Sequence, residues 1–179
     1  MDARVSTSPV LYRRILGASW DKAPPAVRAM HDGVRECHGR ARVARGGLLG
    51  NLVADIVGFP KAGDDVPVSV TFEPRDDGEI WTRTFAGKSF ASVHRKGGDA
   101  LLLERFGPLC FRIAFTMEPD RMRLTLRGSS VFGVPLPLWL APRVESYEAE
   151  EAGVFVFFDD IRHPLTGRII LYQGWLKPA

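Results

Sequence analysis

Apolar and polar side chains alternate, residue by residue, through most of the chain after Val66. In the first such segment Val68, Val70 and Phe72 are separated by polar residues, which is typical of a strand with one buried face. Short turns separate these segments, and no helical pattern lies between them. Because parallel neighbours need long crossovers, the pattern predicts an antiparallel meander.

The clearest hairpin surrounds the turn Glu118-Pro119-Asp120. The residues that we expect to face the core from its two strands are Phe111, Ile113, Phe115, Met117, Met122, Leu124 and Leu126. Asp77-Gly78 predicts another hairpin, with positive φ angles in its turn. Further strands are predicted at Val144–Glu150, Val154–Ile161 and Arg168–Leu176.

Helical spacing replaces this alternation in the first third of the chain. Ser8-Pro9 is a good start for a first helix that Gly17 ends, and a second helix is expected from Pro24-Pro25 to His31. A third helix is predicted at Leu48–Val57, with Gly58 just beyond it. Since this helix is broadly apolar, we expect it to be packed rather than displayed.

A twisted sheet of about eight to ten strands must curl or close to hide its apolar face. We therefore predict an α+β fold in which N-terminal helices pack on a large, strongly curved antiparallel sheet. A sheet wrapped round a helix is preferred over a nearly closed barrel. The chain is expected to be one domain, residues 1–179, with a mainly helical part at 1–60 and the meander at 61–179.

Charge and cysteine content narrow the function classes. The net charge of +3 comes from scattered arginines without interleaved aromatics, which is evidence against nucleic-acid binding. Cys37 and Cys110 lie far apart and predict two free thiols in a reducing, cytoplasmic compartment. Met1–Ser8 has no apolar signal core, and no stretch has the roughly 20 apolar residues of a transmembrane segment.

Six stretches in order resemble the bacterial domain-of-unknown-function 4166 family over nearly the whole chain. They are LYRRILGASW (11–20), PPAVRAMHDG (24–33), WTRTF (81–85), ERFGP (104–108), FGVPLPLWLAP (132–142) and YQGWL (172–176). The resemblance implies a bacterial protein, found alone or attached to dehydrogenase-like and reductase-like domains. It implies neither an established activity nor any functional residue.

Catalytic signatures are mostly absent from the sequence. It has no Gly-x-Ser-x-Gly elbow, no phosphate-binding loop and no His-Glu-x-x-His motif, so we expect no nucleotide or other cofactor. The four histidines lack carboxylate partners at metal-ligand spacing, and no metal site is predicted. The catalytic candidates are His31 with Asp32, as a base held by a carboxylate, and Glu104.

Aromatic and arginine side chains suggest a ligand pocket more strongly. The candidate ligand-binding residues are Trp81, Arg83, Arg105, Trp139, Arg143, Tyr172 and Trp175. Their alternative role is simply core packing, or a cross-strand ion pair in the case of Arg105 with Glu104. The apolar segment 131–140 contains Pro135 and Pro137, which exclude it from a central strand and favour a rim loop or a covering flap.

Three functions stay open at this point. The leading hypothesis is a binding or accessory module for a small hydrophobic or amphipathic ligand, such as a lipid, in a cavity between sheet and helices. The alternatives are a metal- and nucleotide-independent isomerase, cyclase or hydrolase with a buried acid–base pair, and an interaction domain that docks on a reductase or dehydrogenase.

Overall fold

The computed structural model describes residues 10–137 and 139–179. Within these residues, three α-helices, one 3-10 helix and eleven strands follow one another. The helices are α1 (Leu11–Leu16), the 3-10 helix (Gly17–Lys22), α2 (Pro25–His31) and α3 (Leu48–Val57). The strands are β1 (Glu36–Arg45), β2 (Gly63–Arg75), β3 (Gly78–Phe85), β4 (Lys88–Lys96), β5 (Leu102–Phe106), β6 (Leu109–Met117), β7 (Arg121–Val131), β8 (Val134–Pro135), β9 (Arg143–Glu151), β10 (Val154–His163) and β11 (Gly167–Pro178).

Ten of the strands close into an antiparallel barrel in the order β6-β5-β4-β3-β2-β1-β11-β10-β9-β7, with β7 returning to β6. The short β8 forms a hairpin with the end of β7. The predicted α+β fold with a strongly curved antiparallel sheet is confirmed. The sequence favoured a wrapped sheet, but the sheet closes. Since β1 pairs with both β2 and β11, neither β2 nor β11 is an edge strand.

The seam between β7 and β9 is the weakest part of this ring. Their pairing covers only Arg121–Leu124 of β7 against Ser146–Ala149 of β9. Beyond it β7 pairs with β8, which belongs to the segment 132–142 that connects β7 with β9 and is described at 132–137 and 139–142. The predicted place of this proline-bearing segment, away from a central ladder, is therefore what the structure shows.

The β6–β7 hairpin has the register that the sequence predicted. Ile113 pairs with Leu126, Phe115 with Leu124 and Met117 with Met122. These side chains and Phe111 line the interior or join the core, and Met122 is fully buried.

Gly78 has a different role from the predicted one. Asp76 and Asp77 form the two-residue turn between β2 and β3, and none of these residues has a positive φ, so the predicted left-handed turn is wrong. A Cβ at Gly78 would instead collide with the carbonyl oxygen of His94 on β4. Glycine is needed here because two strands approach closely.

Two further glycines bend the barrel where its first and last strands meet. Gly39 of β1 and Gly174 of β11 both lie at inward-facing positions. A Cβ at Gly39 would overlap the Trp175 carbonyl, and one at Gly174 would overlap the Arg40 carbonyl. Because neither residue has a side chain, the two backbones can bend sharply here.

The helices α1 and α2 cover one end of the barrel, which we name the helical end. Their largest buried side chains are Leu11, Tyr12, Ile15, Val27 and Met30, joined by Trp20 of the 3-10 helix. Gly17 ends α1 with φ of 54°, and Pro25 begins α2, as predicted. Ser8-Pro9, the predicted helix start, lies outside the described residues. No helix in the described ranges combines the length and apolar character that a membrane crossing requires.

The third helix, α3, lies at the opposite end, which we name the rim end. The segment 132–142 and the turns 86–87, 107–108 and 164–166 lie at this end too. The predicted bounds of α3 and its Gly58 cap in the left-handed conformation are confirmed. The expectation that its apolar residues are packed holds for one side of the helix only. Gly50, Val53, Ala54 and Val57 face the barrel, while Leu48, Leu49, Leu52 and Ile56 are exposed.

Replacing Gly39 with alanine tests the strand bend. We expect Gly39→Ala to lower the free energy of unfolding by about 1–3 kcal/mol, because the new methyl group meets backbone rather than a movable side chain. Gly98→Ala is the control, since a Cβ there meets no atom within 4 Å, and it should stay within about 0.5 kcal/mol of wild type. Urea unfolding measures both, and equal effects would contradict the proposed role of Gly39.

Candidate functional site

The barrel encloses a cavity of about 310 Å³. This volume lies at the lower end of the range of about 300–1,000 Å³ for small-molecule pockets. The cavity extends from Tyr12 and Met30 at the helical end to Val53 and Val57 of α3 at the rim end.

Most of the cavity wall is apolar. Alternate residues of nearly every strand face inward, so the period-two pattern of the sequence becomes a continuous hydrocarbon lining. The strand residues of this lining are Val68, Val70, Phe72, Phe85, Leu102, Phe106, Leu109, Phe111, Ile113, Leu124, Leu126, Val144, Phe155, Phe157, Ile161, Ile169 and Leu176. Leu136, Leu140 and Pro142 of the segment 132–142 complete it near the rim.

A group of polar side chains from β3, β4 and β5 interrupts this lining. Arg83 donates hydrogen bonds to the Ser92 hydroxyl (2.9 Å) and to the Glu104 carboxylate (3.4 Å). The same carboxylate oxygen accepts from the Ser92 hydroxyl (2.9 Å) and lies 2.9 Å from Nε2 of His94. The Arg83 guanidinium also lies 4.8 Å from the centre of the Trp81 ring. A buried ion pair with this many partners is fixed in position.

Glu104 is held as a carboxylate by this group. Burial by itself raises its pKa, but His94, Arg83 and the Ser92 hydroxyl outweigh burial and lower the pKa to about 2. Its negative charge therefore neutralises Arg83 inside the barrel.

Four rings form a stack between the helical end and this polar group. Tyr12 stacks on His31 at 3.9 Å between ring centres, His31 on Trp81 at 5.3 Å, and Trp81 on His94 at 4.5 Å. Nε2 of His31 lies 2.6 Å from the Glu148 carboxylate of β9. The stack closes the cavity at the helical end and packs the helices against the barrel wall.

A second polar group faces the cavity from β9, β10 and β11. Ser146, Asp159 and Tyr172 pair in one row across these strands, and the Ser146 hydroxyl donates a 2.6 Å hydrogen bond to the Asp159 carboxylate. Burial raises the pKa of Asp159 to about 7, despite the opposing effects of Ser146 and Arg83. Burial also raises the pKa of the Tyr172 hydroxyl well above its ordinary value. At neutral pH this wall can donate a hydrogen bond.

Several predicted site residues meet in the cavity. Trp81, Arg83, Glu104 and Tyr172 all line it. His31 hydrogen-bonds Glu148, while the exposed Asp32 caps the end of α2 and its backbone N–H bonds to Arg28.

The other predicted ligand-binding residues lie elsewhere. Arg105 is exposed beside the inward-facing Glu104, since neighbouring strand residues face opposite sides. Trp139 at the rim is 70% exposed, and Trp175 faces outward from β11. Arg143 lies beside the β7–β9 seam, where it lines a second cavity of about 270 Å³.

The sequence patterns did not identify four of the polar cavity residues, namely Asp159, Glu148, His94 and Ser146. One signal for Asp159 was available, because it shares the inward parity of Phe157 and Ile161 on β10. A carboxylate in an apolar alternation is expensive unless it has a function or a partner. Across residues 10–137 and 139–179, no group of three or more His, Cys, Asp and Glu side chains has an arrangement that could hold a metal ion.

The raised pKa of Asp159 predicts a pH-dependent stability. The folded protein binds this proton more tightly than the unfolded chain, so the resulting stabilisation is complete below pH 3.8 and is lost as the pH rises through about 7. Asp159→Asn mimics the protonated form. In urea unfolding, the free energy of unfolding of this variant relative to wild type should increase by on the order of 2–4 kcal/mol from pH 4 to pH 8.

Asp160→Asn on the same strand is the matched control. Its carboxylate accepts hydrogen bonds from Arg162 and Arg168, which lower its pKa although burial raises it. This variant should lose stability most at neutral pH and least at acid pH, the opposite sign. Parallel pH profiles for wild type and Asp159→Asn would contradict the assignment to Asp159.

Comparison with known proteins gives one family. The family described as domain of unknown function DUF4166 matches residues 24–176, which include α2 and the barrel strands except for the last two residues of β11. Comparisons with curated proteins and with solved structures give no significant match. The match covers most of the chain, and the protein belongs to the DUF4166 family.

Proposed function

We propose that this protein is a binding module for a small amphipathic molecule held inside the barrel. The observation that supports this best is the cavity of about 310 Å³, with apolar walls and two localised polar groups. Specific pockets commonly combine an apolar lining with a few polar groups that orient the ligand. The hydrocarbon part of the ligand lies among the Phe, Leu and Ile side chains near the rim.

The polar groups favour a neutral head group. Arg83 is already paired with Glu104, so a carboxylate ligand would meet a neutralised guanidinium. Asp159 and Tyr172 lie on the opposite wall and offer hydrogen bonds to an alcohol, a ketone or a protonated acid. A long-chain alcohol or an isoprenoid alcohol has this combination of parts.

The segment 132–142 is the proposed lid. Its Leu136 and Leu140 side chains line the cavity, and its described backbone bonds to the barrel through the β7–β8 pairing and from the Phe132 N–H to the Pro108 carbonyl. Nε2 of His163 lies 2.9 Å from the Leu140 carbonyl, and the Leu136 N–H donates to Ser129 (2.9 Å). Because β7 and β9 pair only over Arg121–Leu124 and Ser146–Ala149, movement of this segment to admit a ligand would break its β7–β8 pairing and leave the ladder of the ten barrel strands intact.

A second candidate function is proton-transfer catalysis, such as an isomerisation. It is favoured by Asp159, whose pKa of about 7 suits a general base or acid at neutral pH and whose side chain faces the cavity. Binding precedes catalysis in both functions. Asp159→Asn should keep the ligand in either case, and only an enzyme would then release unchanged substrate where wild type releases product.

A bulky side chain placed in the cavity should weaken ligand binding without unfolding the protein. We expect Ile161→Trp to weaken binding of a fluorescent fatty alcohol by at least about tenfold, because the indole occupies the ligand volume. Val156→Trp on the outer face of the same strand is the control and should bind like wild type. Fluorescence titration measures binding, with thermal unfolding to check the fold. Absence of binding by wild type would contradict the proposal.

Tyr172→Phe should reduce the preference for a polar head group. We expect wild type to bind dodecanol more tightly than dodecane, and the variant to lose about 2–10-fold of this preference, the value of one hydrogen bond. Displacement of a fluorescent probe measures both ligands. Tyr147→Phe is the control, because Tyr147 stacks on Phe158 on the outer face. An unchanged preference in Tyr172→Phe would place the head group elsewhere.

A further inference from the structure

We infer that the rim end docks on an anionic lipid surface, and that the cavity takes its ligand from that surface. This inference rests on the proposed binding function. It concerns a different part of the molecule, because the docking residues lie outside the cavity.

The exposed apolar side chains concentrate at the rim end. Four of them lie on α3 and four on two other connections of the same end, namely Phe132, Val134, Trp139 and Leu165. Exposed fractions reach 84% for Phe132 and 90% for Leu48. Single exposed apolar residues are ordinary, but a patch gathered from three separate connections marks an interaction site.

The orientation of α3 adds to this surface. Its smallest residues, Gly50 and Ala54, face the barrel together with Val53 and Val57, and a Cβ at Gly50 would collide with the Arg168 carbonyl. The leucines and Ile56 therefore point outward, although a helix of a globular protein ordinarily buries such a face. Since an apolar helix face laid on a bilayer buries its side chains between the head groups, a lipid surface removes the cost of this exposure.

Positive charge surrounds the apolar patch. The basic residues within two positions of the rim-end termini of the strands are Arg45, Lys61, Arg83, Lys88, Arg105, Arg143, Arg162 and Arg168, of which Arg83 faces the cavity. The acids at such positions include Asp64 and Asp65, which pair with Arg42 and Arg40, and Glu104, which pairs with Arg83 inside the barrel. Asp55 is shared by Arg45 and Lys61, and Asp160 by Arg162 and Arg168, so each group keeps one positive charge. The helical-end turns carry the acids Asp76, Asp77, Asp99, Glu118 and Asp120. Three of these acids, Asp77, Glu118 and Asp120, pair with Arg95, Arg123 and Arg121 of the adjoining strands.

This charge distinguishes a lipid surface from a second copy of the chain. Two rim ends that face each other would bring like charges together, which opposes association. An anionic bilayer attracts these basic residues. An exposed tryptophan such as Trp139 is typical of residues that lie at the head-group level. The rim also leads directly to the lid at 132–142, so a ligand dissolved in the bilayer would reach the cavity without crossing water.

Vesicle flotation tests the docking surface. We expect wild type to float with phosphatidylcholine vesicles containing about one third phosphatidylglycerol, and to bind about tenfold more weakly without the anionic lipid or at about 0.5 M salt. Leu49→Glu/Leu52→Glu should lose at least about tenfold of the binding, because both side chains are 58% exposed and belong to the docking face.

Trp175→Glu is the matched control, since Trp175 is exposed on β11 away from the rim. It should float like wild type. The double variant should still bind a fluorescent fatty alcohol supplied in solution, because Leu49 and Leu52 do not line the cavity. Wild type that binds this probe but does not float would overturn the docking inference and leave the binding function intact.

Two other results would also overturn the inference. One is equal flotation of wild type and the double variant. The other is a dimer, detected by analytical ultracentrifugation, that the double variant abolishes while wild type ignores vesicles, since the rim would then bind a second copy. If wild type does not bind the fluorescent fatty alcohol, the proposed binding function is refuted instead.

Discussion

The number of strands in the ring is the constraint from which the other features of this protein follow. A barrel of about eight strands is just wide enough for its own side chains to fill, and each added strand widens the interior. Ten strands therefore leave space that must be filled, covered or used. Tyr12 and the other side chains of the N-terminal helices fill the helical end, and the remaining volume is the cavity.

Polar groups in such an interior need partners that the barrel itself provides. Arg83, Ser92, His94 and Glu104 come from three adjacent strands and satisfy one another. Asp159, on the opposite wall, accepts a hydrogen bond from Ser146, but burial outweighs this bond and raises the pKa of Asp159 to about 7. One wall thus has fixed charges and the other can change its charge near neutral pH, which gives the cavity two chemically different sides.

The alternation of side chains was sufficient to predict the strands, the inward face of the β6–β7 hairpin and the curved sheet, because burial of one face determines register. Closure was harder to predict, since the β1–β11 contact joins residues at opposite ends of the chain. The exposed face of α3 and the role of Gly78 depend on neighbouring backbone at Arg168 and His94, which local patterns do not encode.

The pairing of β1 with β11 has a consequence for how the chain acquires its structure. During synthesis β1 emerges early and must wait for the last strand before the ring can close. Until then both β1 and β10 present an open edge, and the phenylalanine-rich interior faces water. Long-range pairing of this kind folds slowly, on the order of milliseconds to seconds, and exposes aggregation-prone surface meanwhile. Gly39 and Gly174, which make the final join sterically permissible, thereby bear on the yield of folded protein as well as on its shape.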